Sequence, residues 1–367
     1  MLLLFGPVAA LSFARVGTES SRALQPTPDI QSFSTTYHSG TGTSWRIGGY
    51  EPVNGTGLPV YIFTAGSGTW ARANLTGPHA NVNERYFTQE MARRGFMAAI
   101  VEVPTMGGLM SMRCSGGDQR DPALEEASRL VFGWSGPHDT SGTALATLCQ
   151  RPNANCNAGI ALHGSSVSGL LSSMAPRFAR GVTAALIWSS GSVVPGGHSC
   201  CGLYSNSNGN LTCCSTQNKS SPVVGGSSLE CVKYNSTSRY LDKSRRRLTI
   251  TTVDHEYGDC FHNPPDDIRH CDHERSMTQG AKHIGRVDSG YDCGNASHCI
   301  QADGSGYYVV SHEEMGLAAE YNAHNFYQDT RKTRYGGTHG LNPTFVNSDA
   351  DWGFGPSFDW LASTARR

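Results

Sequence analysis

The run Gly159-Ile-Ala-Leu-His-Gly-Ser-Ser-Val-Ser-Gly169 continues into Leu-Leu-Ser-Ser-Met-Ala175, and it organises the reading of the whole chain. An apolar stretch of strand character meets a tight Gly/Ser turn, and a helix-forming run of small and apolar residues follows. That is the layout of a nucleophile elbow, in which a serine occupies a strained strand-to-helix turn. Strand and helix backbones nearly touch there, so the positions two before and two after the nucleophile must be small. Ser166 passes this test, with Gly164 behind it and Ser168 ahead. Ser165 would need His163 and Val167 to be small, and Ser168 would need Leu170 to be. The closing glycine of G-x-S-x-G is Ser168 here, a departure from the usual motif.

Outward from the elbow, strand and helix signals alternate. Gln31–Tyr37 and Thr43–Tyr50 read as a leading antiparallel hairpin, and Leu58–Thr64 as a buried strand ending in Ala65-Gly-Ser-Gly68. Asn83–Arg94 has helical spacing and stops at Gly95. Phe96–Val103 is the next strand, and Ser141–Gln150 reads as a helix with Ser141 at its N-cap. Gly159–His163, Val182–Trp188, Leu248–Val253 and Gly306–Val310 complete the strands. Strands alternating with helices imply a mostly parallel sheet covered on both faces.

Leu58–Gly68, Arg94-Gly-Phe-Met-Ala-Ala-Ile, the Ser166 elbow and the closing Phe358-Asp-Trp-Leu-Ala362 together resemble an α/β-hydrolase. More narrowly, the chain resembles the secreted esterases near dienelactone hydrolases, cutinases and polyester hydrolases, over roughly residues 31–365. The resemblance implies a serine hydrolase that cleaves a carboxylic ester through an acyl-enzyme, with an acid and then a histidine following the serine along the chain. The acid falls just past Leu248–Val253, at Glu256 or Asp254, with Asp259 third. The histidine follows the last strand. His312 is the direct reading, and His324 and His339 are alternatives. Ser311-His-Glu-Glu314 also reads as a capping box, which would make His312 the first residue of a helix. Two N–H donors must face the oxyanion: the Val167 amide, and that of Ser67 or Gly66 in the turn after Leu58–Thr64. No cofactor is required. The same triad would serve an amidase or thioesterase, and a non-catalytic extracellular binding protein on this scaffold is the alternative from another class.

Composition narrows the setting. Charged residues make up 16% of the 367, with a formal net charge of −1, so polyanion and nucleic-acid binding are not expected. Arg245-Arg-Arg247, the one basic block, reads as a solvated strand edge. Met1–Ala14 is apolar over the length of a signal-peptide core and too short to span a bilayer, and residues 15–30 read as a linker before a catalytic domain at 31–367. The expected protein is a secreted monomer acting on a small-molecule or polymeric ester, with no membrane span.

Twelve cysteines, mostly in close pairs, read as disulfide staples of an oxidising compartment. Cys149–Cys156, Cys260–Cys271 and Cys293–Cys299 are the expected local bridges. Sequons at Asn54, Asn74, Asn210, Asn218, Asn235 and Asn295 permit glycosylation. Two Cys-rich insertions, 191–246 and 260–305, exceed the minimal fold and are expected to wall the substrate site. The His- and Asp-rich stretch 254–274 could hold Zn²⁺ or Ca²⁺, but its ligands follow no recognised spacing, so no metal is assigned.

Overall fold

A computed structural model of the chain describes residues 28–38, 42–65, 82–104, 120–165, 167–179, 181–188, 203–205, 211–213, 246–252, 289–291, 293, 296–311, 313–314 and 342–366. The segment expected to be a signal peptide, Met1–Ala14, and most of residues 15–30 lie outside them, as does the expected Cys260–Cys271 pair.

The chain opens with a hairpin of β1 (Ile30–His38) and β2 (Ser44–Pro52). It continues through β3 (Val60–Thr64), α1 (Val82–Arg93), β4 (Met97–Val101), α2 (Arg120–Phe132) and α3 (Ala144–Cys149). Then come β5 (Ile160–Ser165), α4 (Val167–Met174) and β6 (Val182–Trp188). Two short strands, β7 (Leu203–Ser205) and β8 (Leu211–Cys213), pair antiparallel as a separate ribbon. The remaining elements are β9 (Arg246–Thr252), β10 (His298–Ile300), β11 (Gly306–Val310), α5 (Pro343–Asn347) and α6 (Phe354–Ala365).

Nine strands form one sheet in the order β1-β2-β4-β3-β5-β6-β9-β11-β10. The contacts from β4 through β11 are all parallel, while β2 meets β4 antiparallel and β10 adds an antiparallel edge to β11. With the ribbon set aside, the first eight strands run 1-2-4-3-5-6-7-8 with strand 2 reversed, which is the α/β-hydrolase order. The chain leaves β3 toward β4 on one side and then returns to lay β5 on the other. Such a reversal opens a crevice at the carboxyl ends of the strands, where open α/β sheets bind ligands.

Burial follows the two-residue period of the strands. Val60 and Ile62 of β3, Ile160 and Leu162 of β5, and Ala185 and Ile187 of β6 share one cluster with Val131 of α2, Leu145 of α3 and Leu171 of α4. Tyr61, Phe63, Ala161, Leu186 and Trp188 share the other with Phe87 and Met91 of α1 and Phe358 and Leu361 of α6. Both faces of the central strands are therefore dry, which is why their sequences read as continuous apolar runs.

Several boundaries correct the sequence reading. The helix expected from Ser141 begins at Ala144, and its N-cap is Thr143, whose hydroxyl accepts from the Ala146 amide. Gly142, at φ +74°, interrupts the chain before it, and the Ser141 amide donates to Asp139 Oδ1 at 2.7 Å. Arg247, read as part of a solvated strand edge, is instead 1% exposed in β9, between β6 and β11, and its Nη2 donates to the Ser173 carbonyl at 3.3 Å. There it meets the carbonyl-rich C-terminal end of α4, where a cation suits the helix dipole. Its neighbour Arg246 pairs with Asp303 at 3.0 Å.

Helix α2 and strand β10 were not anticipated. Three residues of β10 carry too short a pattern to read, and the strand forms only against β11. Its presence means that the described end of the 260–305 insertion extends the sheet. The local disulfides Cys149–Cys156 and Cys293–Cys299 are both formed, with Cα separations of 5.6 and 5.7 Å.

The C-terminal helix docks on the start of β5. Gly159 sits at φ +135°, and a Cβ there would lie 1.7 Å from the Ala365 carbonyl oxygen. Strain and overpacking each cost about 1–3 kcal/mol, so Gly159→Ala should lower the free energy of unfolding in urea by roughly 3 kcal/mol. A loss below about 1 kcal/mol would contradict this docking.

Candidate active site

In chain order the candidate residues follow strands that run in one direction. Strands β3, β5, β6, β9 and β11 run parallel, so their carboxyl ends share one edge. Every residue singled out in the sequence follows one of those ends. Ser166 and Val167 follow β5, Gly66 and Ser67 follow β3, Asp254 and Glu256 follow β9, and His312, His324 and His339 follow β11. Val167 is the first residue of α4, where backbone amides have no intrahelical acceptor. Ser166, Gly66, Ser67, Asp254, Glu256, Asp259, His312, His324 and His339 themselves lie outside the described residues.

The turn that frames Ser166 is sharp. Strand β5 ends at Ser165 and α4 begins at Val167, so a single residue separates them. A Cβ on Gly164 would meet the Ser168 carbonyl oxygen at 2.3 Å and Ser172 Oγ at 2.5 Å. The other two serines of the run have structural positions. Ser165 is buried at the end of β5, in register with Trp188 of β6. Ser168 is buried in the first turn of α4 and donates its hydroxyl to the Ala65 carbonyl at 2.5 Å. That bond ties the helix to the point where β3 ends.

Around His312 the flanking residues form a reciprocal pair. The Ser311 amide donates to Glu314 Oε2 at 2.8 Å, and the Glu314 amide donates to Ser311 Oγ at 3.1 Å. This is capping-box geometry, so the capping reading of Ser311–Glu314 has its bonds. Among the described residues no group of three His, Cys, Asp or Glu side chains could hold a metal, and the 254–274 cluster lies outside them.

Beneath the elbow sits a residue that sequence reasoning passed over. His163, fully buried in β5, meets the Tyr61 hydroxyl at 2.7 Å through Nδ1. Its Nε2 has no hydrogen-bond partner among the described residues. Rings surround it: Trp188 at 4.1 Å between centroids, Phe63 at 4.7 Å, and Phe87 and Phe358 at 5.5 Å each. Burial holds the imidazole well below its ordinary pKa and the Tyr61 phenol well above its own, so both stay neutral. The signal was present in the sequence, since His163 is the one polar side chain in the Ile-Ala-Leu-His stretch of an otherwise apolar strand.

The sequence matches no protein-family model, and comparison with curated proteins found no match. Solved structures resemble it in shape at low identity. A putative dienelactone hydrolase from Klebsiella pneumoniae subsp. pneumoniae is 12% identical, with 91% of this chain and 99% of that one covered and a TM-score of 0.41. A fungal esterase from Rhizomucor miehei is 16% identical, covering 46% of this chain and 47% of its own, with a TM-score of 0.30. Brefeldin A esterase, described as a bacterial homologue of human hormone-sensitive lipase, is 12% identical over 62% of each chain at 0.30. The chain thus spans under two thirds of the latter two. Likenesses of this degree carry no argument, and the strand order carries the fold assignment.

The neutral state of His163 has a consequence for stability. In the unfolded chain a histidine takes up its proton near pH 6.5, whereas the buried ring resists protonation well below that. Below about pH 6.5 the unfolded state therefore binds a proton that the folded state does not. Stability falls with falling pH, by up to about 1.4 kcal/mol per unit, and the contribution is complete above that pH. Urea unfolding of wild type and His163→Asn between pH 7.5 and 5 should show the difference between them shrinking toward acid at about that slope. A difference independent of pH would show that His163 is not held neutral.

Proposed function

We propose that the protein is a serine hydrolase that cleaves carboxylic esters through a covalent acyl-enzyme, with Ser166 as nucleophile. The observation that carries this reading is the strand-to-helix turn with one residue between Ser165 and Val167, closed by the approach of α4 to Gly164. A residue between the carboxyl end of a strand and the start of a helix is next to the helix N-terminus, where N–H groups and the dipole favour a developing negative charge. Ser165 and Ser168, being buried, are poorly suited to attack.

A serine hydroxyl is a weak nucleophile until a base removes its proton. In the proposed reaction the histidine takes the Ser166 proton as Oγ attacks the ester carbonyl carbon. The carbonyl electron pair moves to oxygen, and the Val167 amide, with that of Ser67 or Gly66, stabilises the oxyanion. Collapse expels the alcohol, which takes the proton back from the imidazole. Water then repeats the sequence on the acyl-enzyme, releasing the acid and restoring Ser166. Glu256, or Asp254, orients the imidazole and stabilises its charged form. His312 follows β11 most directly, and His324 and His339 remain its alternatives, because the capping-box bonds of Ser311 and Glu314 give His312 a structural use as well.

Secretion is supported by the two local disulfides, which persist in oxidising compartments. Asn54 of the Asn54-Gly-Thr sequon is exposed in the turn after β2, a position open to a glycan. Among the described residues no helix is long and apolar enough to cross a membrane. The 191–246 and 260–305 segments follow the carboxyl ends of β6 and β9, which supports their role as walls of the substrate site.

Turnover of short p-nitrophenyl esters tests the assignment. Ser166→Ala should lower kcat by roughly 10⁴-fold or more, whereas Ser165→Ala should retain activity if it folds. Alanine at His312, His324 and His339 in turn should give one comparable loss, which identifies the base, and Glu256→Gln against Asp254→Asn does the same for the acid. Undiminished turnover by Ser166→Ala would overturn the proposal.

A further inference from the structure

Three side-chain bonds hold the end of β3 to the β5–α4 unit. Ser168 Oγ donates to the Ala65 carbonyl, and Thr64 Oγ1 donates to the His163 carbonyl at 3.5 Å. The third lies beneath, where the side chains of Tyr61 and His163 meet at 2.7 Å. In the parallel register His163 stands opposite Phe63, one pair before Thr64 and Gly164, the last pair of the two strands. The bond runs diagonally, from Tyr61 two residues back on β3 to the last inward-facing ring of β5.

Packing alone does not call for this pair. Position 163 belongs to the same side as Ala161, and leucine or phenylalanine there would bury apolar area without desolvating an imidazole and a phenol. The ring is held from every side: Tyr61 and Phe63 on β3, Phe87 on α1, Trp188 on β6 and Phe358 on α6. Tyr61 is the one titratable group among these, and the Arg94 guanidinium lies beyond, 6.0 Å from the Phe358 centroid. A polar bond maintained in such a cage breaks the local apolar pattern, and breaks of that kind concentrate where function needs them.

We propose that Tyr61 and His163 are positioning residues for the elbow. The bond between phenol and imidazole fixes the end of β5 against β3, and with it the separation between the nucleophile that follows β5 and the oxyanion-binding turn that follows β3. This inference rests on the reading of Ser166 as nucleophile. Neither side chain touches the substrate. Both act through the backbone, where a displacement of about 1 Å costs on the order of 100-fold in rate.

Three variants test it: Tyr61→Phe, which removes the hydroxyl, His163→Leu, which removes both nitrogens, and His163→Asn, which keeps a polar group near the place of Nδ1. With a short p-nitrophenyl ester, Tyr61→Phe and His163→Leu should lower kcat by about tenfold or more while KM stays within about twofold. His163→Asn should recover most of the loss. Hydrogen–deuterium exchange over residues 160–174 should quicken about tenfold in Tyr61→Phe without an equal change over α1. Exchange unchanged in Tyr61→Phe, or His163→Asn as slow as His163→Leu, would overturn the proposal. Faster exchange in Tyr61→Phe together with a wild type inactive on every ester would leave the positioning role standing and overturn the hydrolase reading instead.

Discussion

The contact on which the rest of this structure depends is the approach of helix α4 to the backbone of Gly164. A strand can hand over to a helix in a single residue only if nothing occupies the space between them, and any Cβ at position 164 would fall 2.3 Å from the Ser168 carbonyl. The sheet is arranged around that requirement. Reversal of the chain after β4 places β3 and β5 side by side, so that both end at the same crevice. Ser168 then bonds across to the Ala65 carbonyl, and Tyr61 bonds to His163 below. Two layers of apolar core cover these strands and hold the geometry.

Much of this was legible because the central strands are dry on both faces. β6 was read at its observed bounds, Val182–Trp188, and β3 and β5 within two residues at either end. The close cysteine pairs at 149/156 and 293/299 bridge as their spacing suggested. What escaped the sequence depends on partners far along the chain. Arg247 looks like a surface charge until the carbonyl end of α4, more than seventy residues earlier, is brought against it. β10 gains strand character from β11 alone, and α3 starts at Ala144, capped by Thr143, because Gly142 turns the chain just before it.

The candidate site divides the same way. A nucleophile can be chosen by local sterics, since the requirement for small neighbours acts within five residues, and Ser166 alone satisfies it. Acid and base answer to no such local rule. The loops after β9 and β11 each offer several carboxylates or imidazoles, and the one that works is the one the fold brings within hydrogen-bond reach of its partner. His163 escaped notice for the opposite reason. Its neighbours in sequence mark it only as a lone polar residue in an apolar run, and its weight comes from its surroundings, where four aromatic side chains from other elements converge on it along with Tyr61.

Covalent trapping of the nucleophile bears most directly on this account. A fluorophosphonate should add once to the intact protein, and mass mapping of the labelled peptide should place the adduct on Ser166, with none formed by Ser166→Ala. An adduct on Ser165 or Ser168, equal labelling of Ser166→Ala, or no adduct on the folded wild type would contradict it.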